Sequence, residues 1–207
     1  MAIRLLRPLQ IINVLLALAA TVVQAQEAPK GLIEATVRDA FKVLRDESLR
    51  GDAPRRLQEL RRVADRVFDW ETMARSSLGA PWRELKPEQR SDFVSVFKEL
   101  LAQRYMDDID RFEGSEQMKV TGGEQHDDVA TVTTVLTTSS LQQLPIDYKL
   151  YKGDRTWKVD DVTIEGVSLV NHYRKTFSQY LVNKSFSDLL QQLKRKLGTH
   201  APSTPAK

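Results

Sequence analysis

The sequence predicts an α+β fold in which a strongly bent antiparallel sheet of four strands packs against helices. Residues 31–111 repeat apolar positions at helical spacing, and residues 116–165 change to the alternation of strands. Helical spacing returns after Ser168, so helices flank the strands on both sides in the chain. Because the bent sheet wraps against a long buried helix, we expect a cone whose interior holds either side chains or a ligand.

The first 25 residues predict a cleaved signal peptide. Arg4 and Arg7 precede an apolar run at residues 11–23, and small residues suited to a signal peptidase follow it. A membrane anchor is the alternative, but a spanning helix needs roughly 20 apolar residues and this run is shorter. We therefore expect cleavage after Ala25 and export to the periplasm.

The rest of the chain predicts a single domain at residues 26–198 and a disordered, proline-containing tail at 199–207. The chain has no cysteine, so packing alone must stabilise the fold, as suits a disulfide-free periplasmic protein. Without the signal peptide, 29 basic residues face 28 acidic ones. This near balance gives no reason to expect nucleic-acid binding.

Four helices are predicted in the first half of the chain, at residues 32–48, 52–68, 69–79 and 87–111. Asp69 is the expected N-cap of the third helix, and Gly79 is expected to end it in the left-handed conformation. The fourth helix is the longest, and its apolar positions cover more than half of its circumference. Such a helix is buried on several sides.

Four strands are predicted near residues 116–121, 127–138, 144–152 and 155–165, with glycines between them. In the last strand the apolar phase slips by one residue at Asp160-Asp161, which predicts a β-bulge that bends the strand. Two helices follow, at residues 168–182 and 185–197. The second begins with the capping pattern Ser185-x-x-Asp188.

No residue cluster predicts metal binding or catalysis. His126-Asp127-Asp128 follows two glycines, and we interpret it as a solvated hairpin turn rather than a metal site. Ser168 and His172 lie four residues apart on a predicted helix, with Asp161 or Glu165 upstream, and form the one esterase candidate. No nucleophile elbow is present, and Ser168 also suits a helix N-terminus. We expect neither enzyme activity nor a metal or cofactor.

Two sequence blocks resemble the MlaC family of periplasmic phospholipid-binding shuttles, also called the toluene-tolerance auxiliary family. The first block comprises Phe68-Asp69, Met73-Ala74-Arg75, Leu78-Gly79, Trp82-Arg83, Pro87-Glu88-Gln89-Arg90 and Phe93. The second comprises Trp157-Lys158-Val159, Asp161-Val162, Ile164-Glu165-Gly166-Val167-Ser168-Leu169-Val170 and Tyr173-Arg174. The similarity extends from about residue 31 to residue 197. His172 departs from the family pattern, which has asparagine before the Tyr-Arg pair.

The resemblance implies a nuclear-transport-factor-like cone around an apolar pocket that binds phospholipid acyl chains. It also implies a monomeric carrier that moves lipid between the outer and inner membranes and maintains outer-membrane lipid asymmetry. The implied partners are an outer-membrane lipoprotein complex and an inner-membrane ABC transporter with a hexameric lipid-binding ring. Two alternatives stay open: a ligand-free protein-interaction module of the envelope, and a lipid esterase using Ser168 and His172.

The apolar faces of the predicted elements supply the expected pocket lining. These residues are Phe93, Phe97, Leu100 and Leu101 on the long helix, Val132, Leu136, Ile146, Tyr148 and Leu150 on strands, Trp157, Val159, Val162 and Ile164 on the bent strand, and Val167, Val170, Tyr173 and Phe177 after it. We expect Arg75, Arg83 and Arg174 to form structural pairs or docking contacts rather than phosphate ligands.

Overall fold

The computed structural model describes residues 28–104, 111–154 and 156–199. Its helices are α1 (Pro29–Leu44), α2 (Ala53–Val67), α3 (Trp70–Leu78), α4 (Pro87–Arg104), α5 (Leu169–Leu181) and α6 (Phe186–Thr199). Its strands are β1 (Gln117–His126), β2 (Val129–Thr137), β3 (Gln143–Lys152), β4 (Trp157–Ile164) and β5 (Val167–Ser168). The predicted signal peptide, the end of the long helix at residues 105–110 and the tail beyond Thr199 lie outside the described residues.

The α+β class and the antiparallel sheet are confirmed, but the predicted strand count is wrong. The sheet has five strands in the order β1-β2-β3-β4-β5, each antiparallel to its neighbour. The missed strand is β5, which follows a tight turn where Glu165 and Gly166 have φ of 49° and 81°. Two successive residues with positive φ form a tight turn that reverses the chain, so β5 pairs with the end of β4 before α5 begins.

The predicted bulge in β4 is confirmed. Lys149 pairs with Asp161 and Leu150 pairs with Val159, which leaves Asp160 as the extra residue. A second bulge, which the sequence did not predict, interrupts β1 between Val120 and Gly122.

Strand β1 is also longer than predicted, because Gly122 and Gly123 continue it rather than end it. A Cβ on Gly123 would lie 3.0 Å from the Thr131 carbonyl oxygen, so a side chain there would force β1 and β2 apart by a few tenths of an ångström. The predicted hairpin turn after β1 is confirmed, with Asp127 at φ 51°. Within the part of the chain that the structure describes, no three metal-binding side chains cluster.

The predicted Asp69 and Ser185-Asp188 caps are confirmed, whereas Gly79 ends α3 as predicted but not in the left-handed conformation. The Asp69 carboxylate accepts the Thr72 N–H at 2.9 Å. Gly79 has φ 75° and ψ −138°, which lies outside the left-handed helical region. At α6 the capping box closes in both directions, since Ser185 Oγ accepts the Asp188 N–H and Asp188 Oδ2 accepts the Ser185 N–H. Over the described ranges, no helix has both the length and the apolarity that a bilayer span needs.

The buried apolar side chains form two clusters. We call the first the sheet-face cluster; its buried members are Ile33, Val67, Ala130, Val132, Ile146, Leu150, Trp157, Val159 and Val162. We call the second the helical cluster; its buried members are Met73, Ala74, Leu78, Trp82, Leu85, Phe93, Val96, Phe97, Leu101, Val170, Phe177, Leu189 and Leu193. Phe68 and Leu169 pack against both clusters, so these two residues mark the boundary between them.

Asp69 joins the two halves of the fold and gives a first prediction. Burial disfavours its ionised form, but hydrogen bonds from the Thr72 N–H, the Tyr151 hydroxyl and the Thr72 hydroxyl outweigh burial, so the pKa of Asp69 lies below 3.8. We expect Asp69→Ala to lower the free energy of unfolding by about 1–2 kcal/mol at pH 7 in urea titrations.

The lowered pKa of Asp69 also determines how its contribution to stability depends on pH. A depressed pKa contributes stability that is complete above 3.8 and lost as the pH falls through the folded value. The difference between the wild type and Asp69→Ala should therefore shrink in acid. A difference that stays constant down to pH 3 would contradict this assignment.

Candidate functional site

The inner face of the sheet is the candidate site. Cross-strand pairing aligns its side chains in three successive rungs: Val120, Thr134, Ile146 and Ile164; Val132, Tyr148 and Val162; and Ala130, Leu150 and Val159. A fourth pair of positions, Met118 and Leu136, adjoins the first rung. The bulge at Asp160 places both Val159 and Val162 on this face, so the phase slip seen in the sequence extends the apolar surface.

Burial on this face changes from one end to the other. At the end near the β3–β4 turn, Leu150 and Val159 are fully buried, and Ile33 of α1 and Val67 of α2 belong to the same cluster. At the other end, Leu136 and Ile164 are only half-buried. The face is therefore closed at one end and partly open at the other.

The few polar groups on this face are satisfied within the protein. Thr134 is fully buried, and its hydroxyl donates to the Ile146 carbonyl oxygen at 3.3 Å. The Tyr148 hydroxyl points at the Met118 sulfur at 3.7 Å, and burial raises the pKa of Tyr148 to about 12. Tyr148 therefore stays neutral at any physiological pH, and the face carries no charge.

The structure separates the predicted lining residues into two groups. Val132, Ile146, Leu150, Trp157, Val159 and Val162 are buried in the sheet-face cluster, with Leu136, Tyr148 and Ile164 packed against it. Phe93, Phe97, Leu101, Val170 and Phe177 are buried in the helical cluster, with Leu100 and Tyr173 packed against it. Val167 belongs to neither cluster and is 56% exposed; it pairs with Ile164 and so lies on the same face, but on the edge strand β5.

The helical cluster is a network of aromatic rings. Phe93 is fully buried, and its ring centroid lies 5.7 Å from that of Phe177, 5.8 Å from Phe186 and 6.4 Å from Trp82. Sequence reasoning missed Met118 and Val120, which lie on the inner face of β1. Both precede the bulge and alternate with Lys119 inside the predicted strand, so the period-two pattern of that strand was a signal that could have found them.

A shallow groove of about 450 Å³ runs beside the open end of the face, between α1 and β1. Val37, Met118 and Val120 line it and also pack against the sheet-face cluster. Glu34, Arg38, Arg45 and Lys119 also line the groove, so it borders the apolar face but is itself charged.

Ser168 and His172, the esterase candidates, have structural partners. Ser168 Oγ accepts the Asn171 N–H at 3.0 Å and donates to Asp161 Oδ2 at 2.5 Å, so it caps α5. The His172 ring packs edge-on against Tyr173. The hydrogen bonds of the described residues include none between Ser168 and His172. The arrangement anchors a helix and lacks the nucleophile–base contact that hydrolysis needs.

The three arginines also have protein contacts. Arg174 Nε donates to the Ser76 carbonyl oxygen at 2.7 Å, which ties α5 to α3. An Arg75 guanidinium nitrogen lies 3.2 Å from Thr72 Oγ1. Arg83 uses its carbonyl oxygen, which accepts a hydrogen bond from Arg90.

Asp160, the bulged residue, gives a second prediction. Its Oδ1 is buried and finds no hydrogen-bond partner within the described residues. Burial raises the pKa of Asp160, Lys149 opposes this effect, and the charges of Asp161 and Asp69 add to it. The ionised form is therefore less stable in the folded protein than in the unfolded chain.

We expect Asp160→Asn to raise the melting temperature at pH 7. A raised folded pKa means that stability falls as the pH rises above 3.8, so the gain should disappear at about pH 3, where both states are protonated. The neighbouring Asp161→Ala is the control and should lower the melting temperature, because Asp161 accepts the N–H groups of Val162 and Val170. A lower melting temperature for Asp160→Asn at pH 7 would refute the assignment.

Comparison with known proteins supports this description of the fold. The family model for MlaC protein matches residues 34–195. A solved structure, that of a phospholipid-binding protein from Ralstonia solanacearum in complex with a phospholipid, superposes with a TM-score of 0.76. It is 20% identical, and the match covers 82% of this chain and 97% of that one, so the likeness concerns the fold. No curated protein matches the chain.

Proposed function

Because the chain belongs to the MlaC family, we propose that it is a phospholipid carrier that binds acyl chains against the inner face of its sheet. The observation that supports this most directly is the uncharged apolar face, closed at the Leu150 end and half-buried at the Leu136 end. The Ralstonia protein, which was solved with a phospholipid, has the same fold.

The energetics favour a carrier over an enzyme. Each buried methylene is worth about 0.8 kcal/mol, so two chains of about 15 methylenes approach about 24 kcal/mol as an upper bound. Free diffusion of such a lipid through water is negligible, and a protein that covers the chains removes this barrier without bond chemistry. The charged head group should stay in water, since desolvating it is costly.

Acyl chains need space against the inner face of the sheet, and we propose that this space opens at the boundary between the two clusters. Phe68 and Leu169 lie between the sheet-face cluster and the helical cluster. The long helix α4 packs mainly against α3 and α6. A shift of the helical cluster would therefore open space at this boundary without breaking the aromatic network around Phe93, while Ile33 of α1 stays on the sheet face.

The cellular setting follows from the family and from the N-terminal sequence. We propose that the signal peptide is cleaved after Ala25 and that the mature protein works in the periplasm as a monomer. There it would exchange lipid with an outer-membrane lipoprotein complex and with an inner-membrane ABC transporter that has a hexameric lipid-binding ring. This traffic would maintain outer-membrane lipid asymmetry.

Mass spectrometry of an organic extract from the purified protein tests the proposal. We expect intact diacyl phospholipid in nearly equimolar amount. An extract without lipid would instead favour the ligand-free interaction module. Lysolipid that accumulates during incubation would favour the esterase, and Ser168→Ala would then abolish it.

A further inference from the structure

We propose that lipid enters and leaves at the end of the sheet formed by the β2–β3 hairpin, and that Leu141 at its tip contacts the bilayer surface during exchange. This inference rests on the proposed function and adds the place of entry. The partner is the surface of a phospholipid bilayer, and the loop that contacts it lies outside the proposed acyl-chain site.

The hairpin tip is next to the open end of the apolar face. Thr137 pairs with Gln143 across the hairpin, and Leu136 pairs with Leu144 one step further in. The β4–β5 turn lies at the same end, because the Glu165 N–H donates to the Pro145 carbonyl oxygen at 3.0 Å. The half-buried Leu136 and Ile164 therefore lie behind this rim.

Two large apolar side chains are exposed on this rim. Leu141 is 81% exposed at the hairpin tip, and Val167 is 56% exposed after the neighbouring turn. Val167 pairs with Ile164, and Leu136 lies two residues inside the hairpin tip on the same inner face, so apolar side chains are present both at the rim and behind it. Such an arrangement is what an acyl chain needs if it is to leave a bilayer without crossing water.

The distribution of charged residues along the chain also favours lipid entry at this end of the sheet. Charged residues make up 29% of the sequence, yet residues 129–146, which include the whole hairpin tip, contain none. Removing charges from a bilayer-facing loop avoids the cost of desolvating them. Two acidic residues lie at the edge of the rim: Glu165, exposed in the neighbouring turn, and Glu116, buried next to Gln117 at the start of β1.

The opposite end of the sheet differs from this rim in both charge and burial. Its two turns contain Asp127, Asp128, Lys152 and Asp154, and the Lys152 N–H donates to the Asp128 carbonyl oxygen at 2.8 Å. The inner face is fully buried there at Leu150 and Val159. This end is charged and closed, so acyl chains have no route through it.

The backbone conformation of Leu141 is unfavourable for leucine, which indicates that this side chain has a role other than folding. Its φ is 63°, a region that glycine and asparagine adopt more readily than leucine. The turn is ordered by its own bonds, since the Leu141 N–H donates to the Thr138 carbonyl oxygen and Thr138 Oγ1 accepts the Gln142 N–H. An exposed leucine in this conformation gains no burial, and such a local mismatch is typical of functional positions.

Transfer from vesicles tests the inference with Leu141→Asn, an uncharged change that suits the backbone. Protein freed of lipid is mixed with phosphatidylcholine vesicles containing a fluorescent phosphatidylcholine, and the rate of lipid uptake is measured. We expect Leu141→Asn to slow uptake about tenfold, as the loss of leucine burial in the bilayer implies. Lipid copurified with the variant should equal that of the wild type, because the acyl site is intact.

Two further variants complete the experiment. Leu141→Met should keep the wild-type rate. Val129→Asn changes an apolar residue that is 47% exposed at the charged end, and uptake should stay within about twofold of the wild type. Unchanged uptake by Leu141→Asn overturns the inference, and so does equal slowing by Val129→Asn. If uptake depends on Leu141 only when a protein partner is present, the hairpin contacts that partner and not the bilayer. Absence of copurified lipid from the wild type would contradict the proposed function itself, which is seen before any rate is measured.

Discussion

Replacing Phe93 by alanine is expected to lower the free energy of unfolding by about 3–5 kcal/mol. Phe93 is fully buried, and its ring contacts those of Trp82, Phe97, Phe177 and Phe186. The change removes a whole ring from the centre of the helical cluster and leaves a cavity that four aromatic neighbours cannot fill. Since a domain of this size has about 5–15 kcal/mol in total, the effect is a large share of its stability.

Denaturant unfolding of the wild type and the variant measures this loss. Phe41→Ala is the matched control, because Phe41 is only half-buried and, within the described residues, its ring pairs with a single aromatic ring, that of Phe112 at 5.7 Å. It should lower the free energy of unfolding by less than half as much. Equal losses for the two variants would mean that the aromatic network around Phe93 contributes no more to stability than the single ring pair of Phe41.

The same position separates core from ligand site. Phe93→Leu keeps most of the apolar volume and should fold, and its copurified lipid should match the wild type if the helical cluster is a core. Loss of lipid from a folded Phe93→Leu would show that acyl chains reach α4, as the sequence predicted. Extraction of this variant thus tests the division of the predicted lining residues.

Local features of the fold were predictable because each depends on a few neighbouring residues. Asp69 and Gly79 cap α3 through their own side chain and backbone, and Ser185 with Asp188 caps α6 in the same way. The bulge at Asp160 was visible as a phase slip in the apolar pattern. None of these required knowledge of distant contacts.

Features that depend on distant partners were not predictable. The apolar pattern of α4 shows that Phe93 and Phe97 are buried, but it does not say whether the sheet or other helices bury them. Gly122-Gly123 has the sequence of a turn, and the close approach of the Thr131 carbonyl, which favours glycine at position 123 inside β1, is not visible in the sequence. Val167 fits an inward alternation, but it lies on the edge strand β5 and is exposed.

Replacing Leu136 by aspartate is expected to remove copurified lipid almost completely. Leu136 lies on the inner face of β2 between Met118 and Leu144, at the half-buried end where acyl chains would enter. A carboxylate in a hydrocarbon environment costs about 3 kcal/mol, which corresponds to about a hundredfold loss of affinity. Because Leu136 is already half-buried rather than enclosed, the charge can reach water in the lipid-free protein and the fold should survive.

The adjacent Val135→Asp is the matched control. Val135 is half-buried on the opposite face of the same strand, where it pairs with Pro145 and with Lys119, whose charge suits an aspartate. Both variants add one carboxylate to β2, so any general effect on the strand is shared. Circular dichroism should show both folded, and mass spectrometry of their extracts should find lipid in Val135→Asp alone. If Leu136→Asp keeps its lipid, the acyl chains do not lie on this face of the sheet, whatever the protein carries.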